Sequence, residues 1–470
     1  MRLAWFSPRP PVRSGVATYT AEIVPRLTGE YVIDCYVDRT ESLKSEVGSL
    51  NVSDTSLETV HVPQSRSQGL VDGPVYDAHD FVWRHRRDPY DLVIYQLGNA
   101  PCHDYMWAYL ARYPGLVVLH DARLHHARAR CLLSRGRRDD YRAEFRYDHP
   151  DVAPDIAEYA VEGLGGPVSY FWPMLRVVMR TARMIAVHNA RVASDLVADY
   201  PDVSIATIRM GVPSLDFAQG LGTDTRSRVR RALAIPDDSL TFAAFGKITA
   251  EKRIDQVLRA FGRLVSEGVD AHLLLIGDVA DDPTLSQKVT RENVDGRVRV
   301  TGYVADEHIG DYLASTDVCL CLRWPTAHET SASWLRCLAA AKATVITDLA
   351  HLVDILTVDP RSWQTVGRNG RPPVAVAIDL LDEDRSLVLA MRRLATDVRL
   401  RDEIGRAGYA YWSREHTLDV MVDDYRRVIK AAVARSAPAV TDLPAHFTND
   451  YTDTARQIAR KFGVDLDMLR

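Results

Sequence analysis

The sequence lacks several features that would place a protein in a class at once. Its six cysteines form no CxxC pair and lie mostly in apolar runs such as DVCLCL, where a cysteine behaves as a small hydrophobic residue. No uninterrupted apolar run approaches the about 18 residues of a membrane-spanning helix. The N-terminal segment also lacks the apolar stretch of a signal peptide. These absences predict a cytoplasmic protein.

Neither sign of charge dominates the chain. It has 58 Lys and Arg residues against 63 Asp and Glu, which gives a net charge of -5. This balance predicts no nucleic-acid partner and at most peripheral contact with a membrane, since either surface would need a local basic patch. At 470 residues the chain exceeds what one hydrophobic core usually supports, so we expect two domains.

Short apolar, β-branched runs recur along the chain, separated by segments with apolar residues at three- and four-residue spacing. This alternation predicts an α/β fold with parallel sheets covered on both faces. A Gly-, Ser- and Thr-rich stretch at residues 211–227 marks a domain boundary. We predict two doubly wound domains, at 1–215 and 216–412, with ligands bound in the cleft between them. A helix at 413–435 and a tail at 436–470 follow.

Two segments of the second domain have residues suited to phosphate. The stretch RWPTAHETSASWLRCLAAAKATVITD begins at Arg323, and a helix opening at Thr330 or Ser331 would present unpaired backbone N–H groups and a positive dipole end. In FGKITAEKRID, Lys247 and Lys252 supply two ammonium groups, which suit a diphosphate. A solvated loop with two surface lysines is the alternative. The sequence around Lys247 excludes a P-loop, since the required first glycine is absent.

The first domain offers weaker signals. Its first loop, FSPRPPVRSGVATY, contains the single glycine Gly15, which would allow close approach of a ligand. Because the GxGxxG fingerprint is absent, a dehydrogenase that binds NAD is not expected. The segment YQLGNAPCH presents Asn99 and His103 at the end of a predicted strand.

The segment VVLHDARLHH presents His120 and Asp121 at the end of another predicted strand. A metal site is an alternative here, because His125 and His126 follow within seven residues. We disfavour it, since adjacent histidines must point in different directions. A strand-end histidine that faces the cleft explains the pattern more simply.

Several motifs occur in the order found in one enzyme family: SGVATY, LHD, RMGVP, GKITAEKRID, TGYVADEHIGDYLASTD and the segment from Arg323 to Asp348. Together they resemble retaining glycosyltransferases of the GT-B fold, family four, in the mannosyltransferase and sucrose-synthase-like group. The resemblance covers residues 1–430. It implies two Rossmann-like domains with a C-terminal helix that crosses back to the first. It also implies transfer of a sugar from a UDP-, GDP- or ADP-linked donor to a hydroxyl acceptor, with retention and without a metal or other cofactor.

The resemblance assigns three groups of site residues. The catalytic group comprises His120, Lys247, Lys252 and Glu329. The donor-binding group comprises Gly15, Gly246, Gly302, Tyr303, Val304, His328, Thr330, Ser331 and Arg336, with the base against residues 302–304. The acceptor side comprises Asn99, His103 and Asp121. In such enzymes the departing phosphate helps to deprotonate the acceptor, so no carboxylate nucleophile is implied.

The chain departs from the family at two glutamate positions. His328 stands at the first and Arg336 at the second, while Glu329 lies one residue from the first. Because Arg336 cannot accept hydrogen bonds from ribose hydroxyls as a carboxylate does, either the nucleotide is held differently or donor binding is weakened. Two other functions therefore stay open. One is a binding or scaffold protein without turnover, and the other is a nucleotide-sugar epimerase.

A basic, Tyr-rich insertion spans about residues 124–171, and arginines continue beyond it. The insertion contains Arg128, Arg130, Arg135, Arg137, Arg138, Arg142 and Arg146. Beyond it, Arg176, Arg180 and Arg183 are spaced to share one helix face. A solvated charged face is one interpretation. The other is a surface for an anionic or lipid-linked acceptor.

Overall fold

A computed structural model describes seven stretches of the chain: residues 1–38, 73–166, 168–215, 222–279, 283–366, 371–449 and 453–464. The first domain contains the strands β1 (Arg2–Phe6), β2 (Val32–Val37), β3 (Val75–Asp77), β4 (Leu92–Leu97), β5 (Leu116–Leu119), β6 (Met184–Val187) and β7 (Ile205–Thr207). They form one parallel sheet in the order β3-β2-β1-β4-β5-β6-β7. Central strands such as β4 and β5 are buried along their whole length, which explains their uninterrupted apolar sequences.

Nine helices belong to the described part of this domain. They are α1 (Gly15–Leu27), α2 (Phe81–Arg87), α3 (Met106–Arg112), α4 (His125–Leu133), α5 (Arg138–Asp148), α6 (Asp155–Val161), α7 (Val168–Phe171), α8 (Arg176–Thr181) and α9 (Ala190–Asp199). Ser14 caps α1 by accepting a hydrogen bond from the amide of Ala17 at 3.0 Å. The cap fixes where the helix begins, directly after the loop that follows β1.

The second domain contains the strands β8 (Leu240–Phe245), β9 (Ala271–Ile276), β10 (Val298–Val300), β11 (Val318–Cys321), β12 (Ala343–Thr347), β13 (Thr357–Val358), β14 (Thr365–Val366) and β15 (Ala375–Ile378). They form a sheet in the order β10-β9-β8-β11-β12-β15-β13-β14. All neighbouring pairs are parallel except the edge pair β13 and β14.

Six helices cover this second sheet within the described residues: α10 (Gly222–Ala232), α11 (Ile254–Ser266), α12 (Leu285–Arg291), α13 (Ile309–Ala314), α14 (Ala332–Ala339) and α15 (Glu383–Thr396). The apolar face of α11 buries Val257, Leu258, Phe261 and Leu264 against the sheet. This is the three- and four-residue spacing from which the helix was predicted. A further helix, α16 (Val398–Glu415), leads back toward the first domain.

The chain then crosses back to the first domain through α17 (Leu418–Val433). The Tyr425 ring of α17 lies 5.4 Å from that of Trp5 in β1, and its hydroxyl accepts a hydrogen bond from Tyr19 at 2.7 Å. The tail continues as α18 (Ala445–Thr448), which packs Phe447 against Trp107, and α19 (Asp453–Lys461). The predicted architecture of two Rossmann-like domains and a crossing helix is confirmed.

The predicted basic insertion folds as the helices α4 to α7 around a small core of its own. Arg128 is buried in it, and its Nε donates to Glu144 at 2.7 Å. Three further arginines pair with nearby carboxylates: Arg130 with Asp104, Arg137 with Asp140 and Arg142 with Glu158. These pairs offset much of the positive charge of the insertion.

The predicted helix face of three arginines is not formed. Helix α8 ends at Thr181, so Arg183 lies beyond its last turn and cannot share a face with Arg176. Its amide instead donates to Gly115 at 2.9 Å as the chain enters β6. The spacing was compatible with a helix, but the helix ends two residues before the third arginine, and β6 begins directly after it. Within the described residues, no helix has both the length and the apolar character needed to cross a bilayer.

Candidate functional site

A cleft of about 740 Å³ separates the two domains. It lies beyond the carboxyl ends of strands from both sheets, the usual position for ligands in doubly wound folds. Domain one contributes the loops after β1, β4 and β5, and domain two contributes those after β8, β9 and β11.

Gly246 and the two lysines form one side of the cleft in domain two. Gly246 has a φ of +100°, and a Cβ added to it would lie 2.7 Å from the Ser333 hydroxyl and 3.2 Å from Lys252 Nζ. Glycine is favoured because a residue with a Cβ would be strained at this φ, and it also lets both side chains lie close to the backbone. Lys247 follows directly and lines the cleft.

Lys252 lies behind this turn. Its Nζ donates to the carbonyl of Phe245 at 2.6 Å. Burial, followed by the nearby positive charge of Arg323, lowers the pKa of Lys252 to about 8. The ammonium group therefore remains mostly charged at neutral pH but loses its proton as the pH rises through 8.

Helix α14 begins at Ala332, close to Gly246. The Ser331 side chain accepts a hydrogen bond from the amide of Trp334 at 3.2 Å and so caps the helix. None of the described residues accepts a hydrogen bond from the amides of Ala332 and Ser333, and both residues line the cleft. Free amides at the positive end of a helix form an anion site, and Lys247 lines the same cleft.

Glu329 is held firmly in the loop before α14. One carboxylate oxygen accepts hydrogen bonds from the Thr326 hydroxyl at 2.9 Å and the Ala327 amide at 2.8 Å. The other oxygen lies 2.7 Å from Arg323 Nε. The Ala327 carbonyl also accepts a hydrogen bond from the amide of Ala122 at 2.8 Å, which joins this loop to domain one.

A smaller chamber of about 60 Å³ opens beside Glu329 and shares part of its wall with the cleft. Lys252 and Ser331 line it. Three buried atoms in its wall have no hydrogen-bond partner among the described residues: His188 Nε2, His351 Nδ1 and Thr330 Oγ1. Such atoms are costly unless a ligand or water satisfies them. The chamber can therefore bind a hydroxyl-bearing group.

His120 faces the cleft from the end of β5. Its Nε2 lies 2.8 Å from Gln96 Oε1, and the Gln96 amide nitrogen donates to the Tyr425 hydroxyl at 3.0 Å. Because this second bond leaves Oε1 of Gln96 as the acceptor, Nε2 of His120 carries the proton. Burial and the neighbouring His188 hold the pKa of His120 well below its ordinary value. The ring is therefore neutral, with Nδ1 as an acceptor.

Asp121 lies next to His120 and accepts a hydrogen bond from the Asn99 amide at 2.7 Å. Burial, followed by the negative charge of Glu329, raises the pKa of Asp121 to about 7. The side chain of Asn99 is occupied within its own domain, since it donates to the Arg123 carbonyl at 2.8 Å. Asp121 is thus a carboxyl group in the cleft wall that titrates near neutral pH.

His103 also lines the cleft, close to Asp121. Its Nδ1 is 2.8 Å from the Gln96 carbonyl, and burial lowers its pKa to about 4. A Cβ on Gly98 would lie 3.3 Å from His103 Nε2 and 3.1 Å from Asp121 Oδ2, so this glycine leaves room for both polar groups.

Arg336 closes the far end of the cleft. Its Nη2 donates to Glu22 Oε1 of α1 at 2.8 Å, and Nη1 lies 3.4 Å from Asp306. The Thr18 hydroxyl of α1 also donates to Asp306, at 2.7 Å. These contacts join the two domains directly. Beside them the Arg13 guanidinium lies 4.4 Å from the ring centroid of Tyr303.

The structure brings most of the predicted site residues together. The cleft is lined by Gly15, Asn99, His103, His120, Asp121, Gly246, Lys247, Tyr303, Val304, Glu329, Thr330 and Arg336. Lys252 and Ser331 line the chamber. Gly302 and His328 are in neither set. The ring of His328 instead stacks on His351 at 5.1 Å and lies 3.4 Å from Arg123 Nη2, which explains why it does not reach the cleft.

The metal alternative finds no support in the described residues, which contain no group of three or more His, Cys, Asp or Glu side chains placed to hold an ion. His125 is turned into the core of the insertion. Its two ring nitrogens lie 2.9 Å from the Trp172 carbonyl and 2.8 Å from the Tyr141 hydroxyl.

The sequence did not predict the residues that orient the side chains of the site. Gln96 and Tyr425 orient His120, and Glu22 pairs with Arg336. An amide inside the apolar strand LVIYQL and a carboxylate in the apolar pattern of α1 were local signals for Gln96 and Glu22. Tyr425 offered none, since a tyrosine on an amphipathic helix is usually a core residue.

Residues 239–381 match the family model described as "Glycosyl transferases group 1". This match lies within the second domain. The chain is also 33% identical over 135 residues to a GDP-mannose-dependent alpha-(1-6)-phosphatidylinositol dimannoside mannosyltransferase of Mycobacterium tuberculosis. This match spans 28% of the chain and 33% of the length of the mannosyltransferase.

Solved structures match the chain over both domains. A glycosyltransferase from Rickettsia africae has a TM-score of 0.59 and 13% identity, and the match covers 93% of this chain and all but 1% of the other. HepE from Anabaena, solved with UDP and glucose, has a TM-score of 0.58 and 12% identity over 92% of this chain and 100% of its own. At such identity the likeness shows the fold alone, and the chain therefore has the GT-B architecture of two Rossmann-like domains.

Proposed function

We propose that the protein transfers a sugar from a nucleotide diphosphate donor to a hydroxyl acceptor, with retention of the anomeric configuration. The observation that carries the proposal is that Lys247 and the free amides of α14 line the cleft, with the buried Lys252 beside them against Gly246. All of these groups lie within the residues that match the group 1 family model. This is a site for a diphosphate leaving group, whose developing charge these donors would stabilise.

The donor sugar would lie between this wall and His120. The chamber beside Glu329 supplies unpaired polar atoms for its hydroxyls, and Nδ1 of the neutral His120 ring can accept a further hydrogen bond. The Glu329 side chain, already oriented by Arg323, can accept others. These contacts would hold the sugar with its anomeric carbon toward domain one.

The acceptor hydroxyl would approach from the side of Asp121, Asn99 and His103. We propose that it attacks on the face from which the phosphate departs, and that a departing phosphate oxygen takes its proton. This path needs no protein nucleophile and retains the configuration. The lysines and amides balance the charge of the leaving group, so we also propose turnover without a metal ion.

A panel of UDP-, GDP- and ADP-linked sugars, incubated with and without hydroxyl acceptors, tests the proposal through nucleotide release. We expect release that depends on one donor and one acceptor and persists in EDTA, with retained configuration by NMR. Binding without release would instead indicate a scaffold, and sugar interconversion without acceptor an epimerase. Absence of a thermal shift with every nucleotide would rule out all three.

The Lys247→Ala variant tests the phosphate assignment. We expect kcat/KM for the donor to fall by about 100-fold or more, as when one preorganised electrostatic group is removed. The exposed Lys430 serves as a matched control, and Lys430→Ala should keep the wild-type value. Equal activity of the two variants would contradict the assignment.

A further inference from the structure

The Arg336–Glu22 pair is positioned to do more than join the domains. Glu22 lies on α1 of domain one and Arg336 on α14 of domain two, and both line the cleft. Only 18% of the Glu22 side chain and 7% of the Arg336 side chain are exposed. Since Arg336 also approaches Asp306, its charge is shared by two carboxylates.

The order of groups along α14 locates this pair relative to a bound nucleotide. The free amides of Ala332 and Ser333 mark the phosphate end, and Arg336 lies one turn further, about 5 Å along the helix axis. Tyr303 and Val304 also line the cleft, and they lie two to three residues before Asp306, which approaches Arg336. A nucleoside diphosphate with its phosphates at the amides and its base at the Tyr303 end must place its ribose beside Arg336 and Glu22.

The chemistry of the pair selects Glu22 as the group that can recognise a ribose. Arg336 has only donors, whereas ribose hydroxyls seek acceptors. Asp306 already accepts from Thr18 through one oxygen and faces Arg336 with the other. Glu22 accepts from Arg336 through Oε1, while Oε2 accepts no side-chain hydrogen bond from the described residues. It therefore has an oxygen to offer.

The protonation of Glu22 agrees with an unmet need for donors. Burial raises the pKa of Glu22 to about 7, and the favourable charge of Arg336 offsets this only in part, while Asp306 adds to it. Hydroxyl donors from a ligand would stabilise the ionised form.

We propose that Glu22, held in place by Arg336, accepts a hydrogen bond from the ribose 2′-hydroxyl of the nucleotide. This inference rests on the proposed function, since it places a nucleotide in the cleft. Domain one would then supply the carboxylate that binds the ribose, through Glu22, whereas domain two supplies the helix that binds the phosphates. Glu22 is then a binding residue and Arg336 a positioning residue.

Calorimetric titration with UDP, GDP and ADP, and with their 2′-deoxy counterparts, tests this proposal. For the nucleotide that binds, we expect the wild type to prefer the ribose form by about tenfold or more, the loss typical of one hydrogen bond to a charged acceptor. Glu22→Ala should reduce the ratio to about one. Arg336→Ala should reduce it in part, and the double variant should match Glu22→Ala.

Glu22→Gln provides a second variant of similar size, with an intermediate ratio expected because the amide oxygen still accepts. Glu30→Gln, at an exposed glutamate after α1, is the matched control and should keep the wild-type ratio. If nucleotides bind but the wild type or Glu22→Ala shows an unchanged preference, the inference is wrong. If no nucleotide binds to the wild type, the proposed function itself fails.

Discussion

Two buried pairs of arginine and glutamate differ in what surrounds them. Arg128 and Glu144 lie within the insertion of domain one, where the Trp107 ring lies 4.3 Å from the guanidinium and His446 Nε2 lies 2.7 Å from the Glu144 carboxylate. Arg336 and Glu22 instead join two domains and border the cleft. The first pair has all its partners in the protein, and the second faces space for a ligand.

The pKa values of the two glutamates record this difference. Burial raises the pKa of each, but Arg128 and His446 more than offset it for Glu144, whose pKa is lowered. The pKa of Glu22 is instead raised to about 7. Asp121 and Lys252, which also border the cavities, are shifted toward their neutral forms as well. A buried charge that its protein partners leave incompletely stabilised is thus a better guide to the site than burial alone.

The largest expected effect is on stability, from Glu144→Ala. The variant leaves Arg128 buried without its carboxylate, so we expect the free energy of unfolding to fall by about 3–5 kcal/mol. Chemical denaturation measures this. Glu158→Ala, which breaks the exposed pair with Arg142 in the same insertion, should cost much less. Equal losses would show that burial of the Arg128 pair carries no special weight.

Asp121→Asn should change how stability depends on pH. Because the folded-state pKa of Asp121 is about 7 and its ordinary value 3.8, the folded protein keeps a proton that the unfolded chain loses between these limits. Stability from this group therefore falls as pH rises, by about 1.4 kcal/mol per pH unit. The variant should be less pH-sensitive from pH 5 to 7. Asp155→Asn, which removes an exposed carboxylate, is the control. A curve of stability against pH for Asp121→Asn that runs parallel to the wild-type curve would contradict the raised pKa of Asp121.

Nucleotide affinity should depend on pH through Lys252. As the pH rises above about 8 the ammonium group loses its charge, and affinity should decrease up to tenfold per pH unit. Lys252→Arg keeps the charge and should remove this dependence, whereas Lys252→Met should bind weakly throughout. Titration at pH 7, 8 and 9 measures it. Lys342, whose Nζ donates to the Thr316 carbonyl away from the cleft, provides the control Lys342→Met.

The smallest expected effect is on stability, from Glu22→Ala. Arg336 keeps Asp306 at 3.4 Å as a second carboxylate partner, and Glu22 is costly to ionise where it lies, so we expect a change within about 1 kcal/mol. The same denaturation experiment measures it beside Glu144→Ala. A loss as large as that of Glu144→Ala would mean that both pairs serve the fold, and the contrast between them would disappear.

The parts of the site that the sequence predicted are local. Gly246 and Lys247 follow directly from one strand, Ser331 caps the helix that follows another, and His120 ends a third. In each case a short segment determines both the backbone and the direction of the group. The fold was predictable for the same reason, because alternating strands and helices leave few arrangements of a parallel sheet.

The remaining parts depend on contacts between distant segments. Arg336 and Glu22 are 314 residues apart, and Gln96 and Tyr425 are 329 apart. No spacing within one sequence reveals such pairs, since they form only when domains or helices pack. The arginines of the insertion show the same limit. Their clustering was visible, but Arg128 became a core residue through the position of Glu144.

The return of the chain to domain one has a consequence for the order of assembly. Every strand of domain two precedes residue 379, whereas α17, whose Tyr425 packs on Trp5 of domain one, begins only at Leu418. During synthesis the second domain can therefore finish folding before the first, the reverse of the usual N-terminal order. Because Tyr425 fixes Gln96, and Gln96 fixes the ring of His120, the histidine is oriented only after α17 has been synthesised.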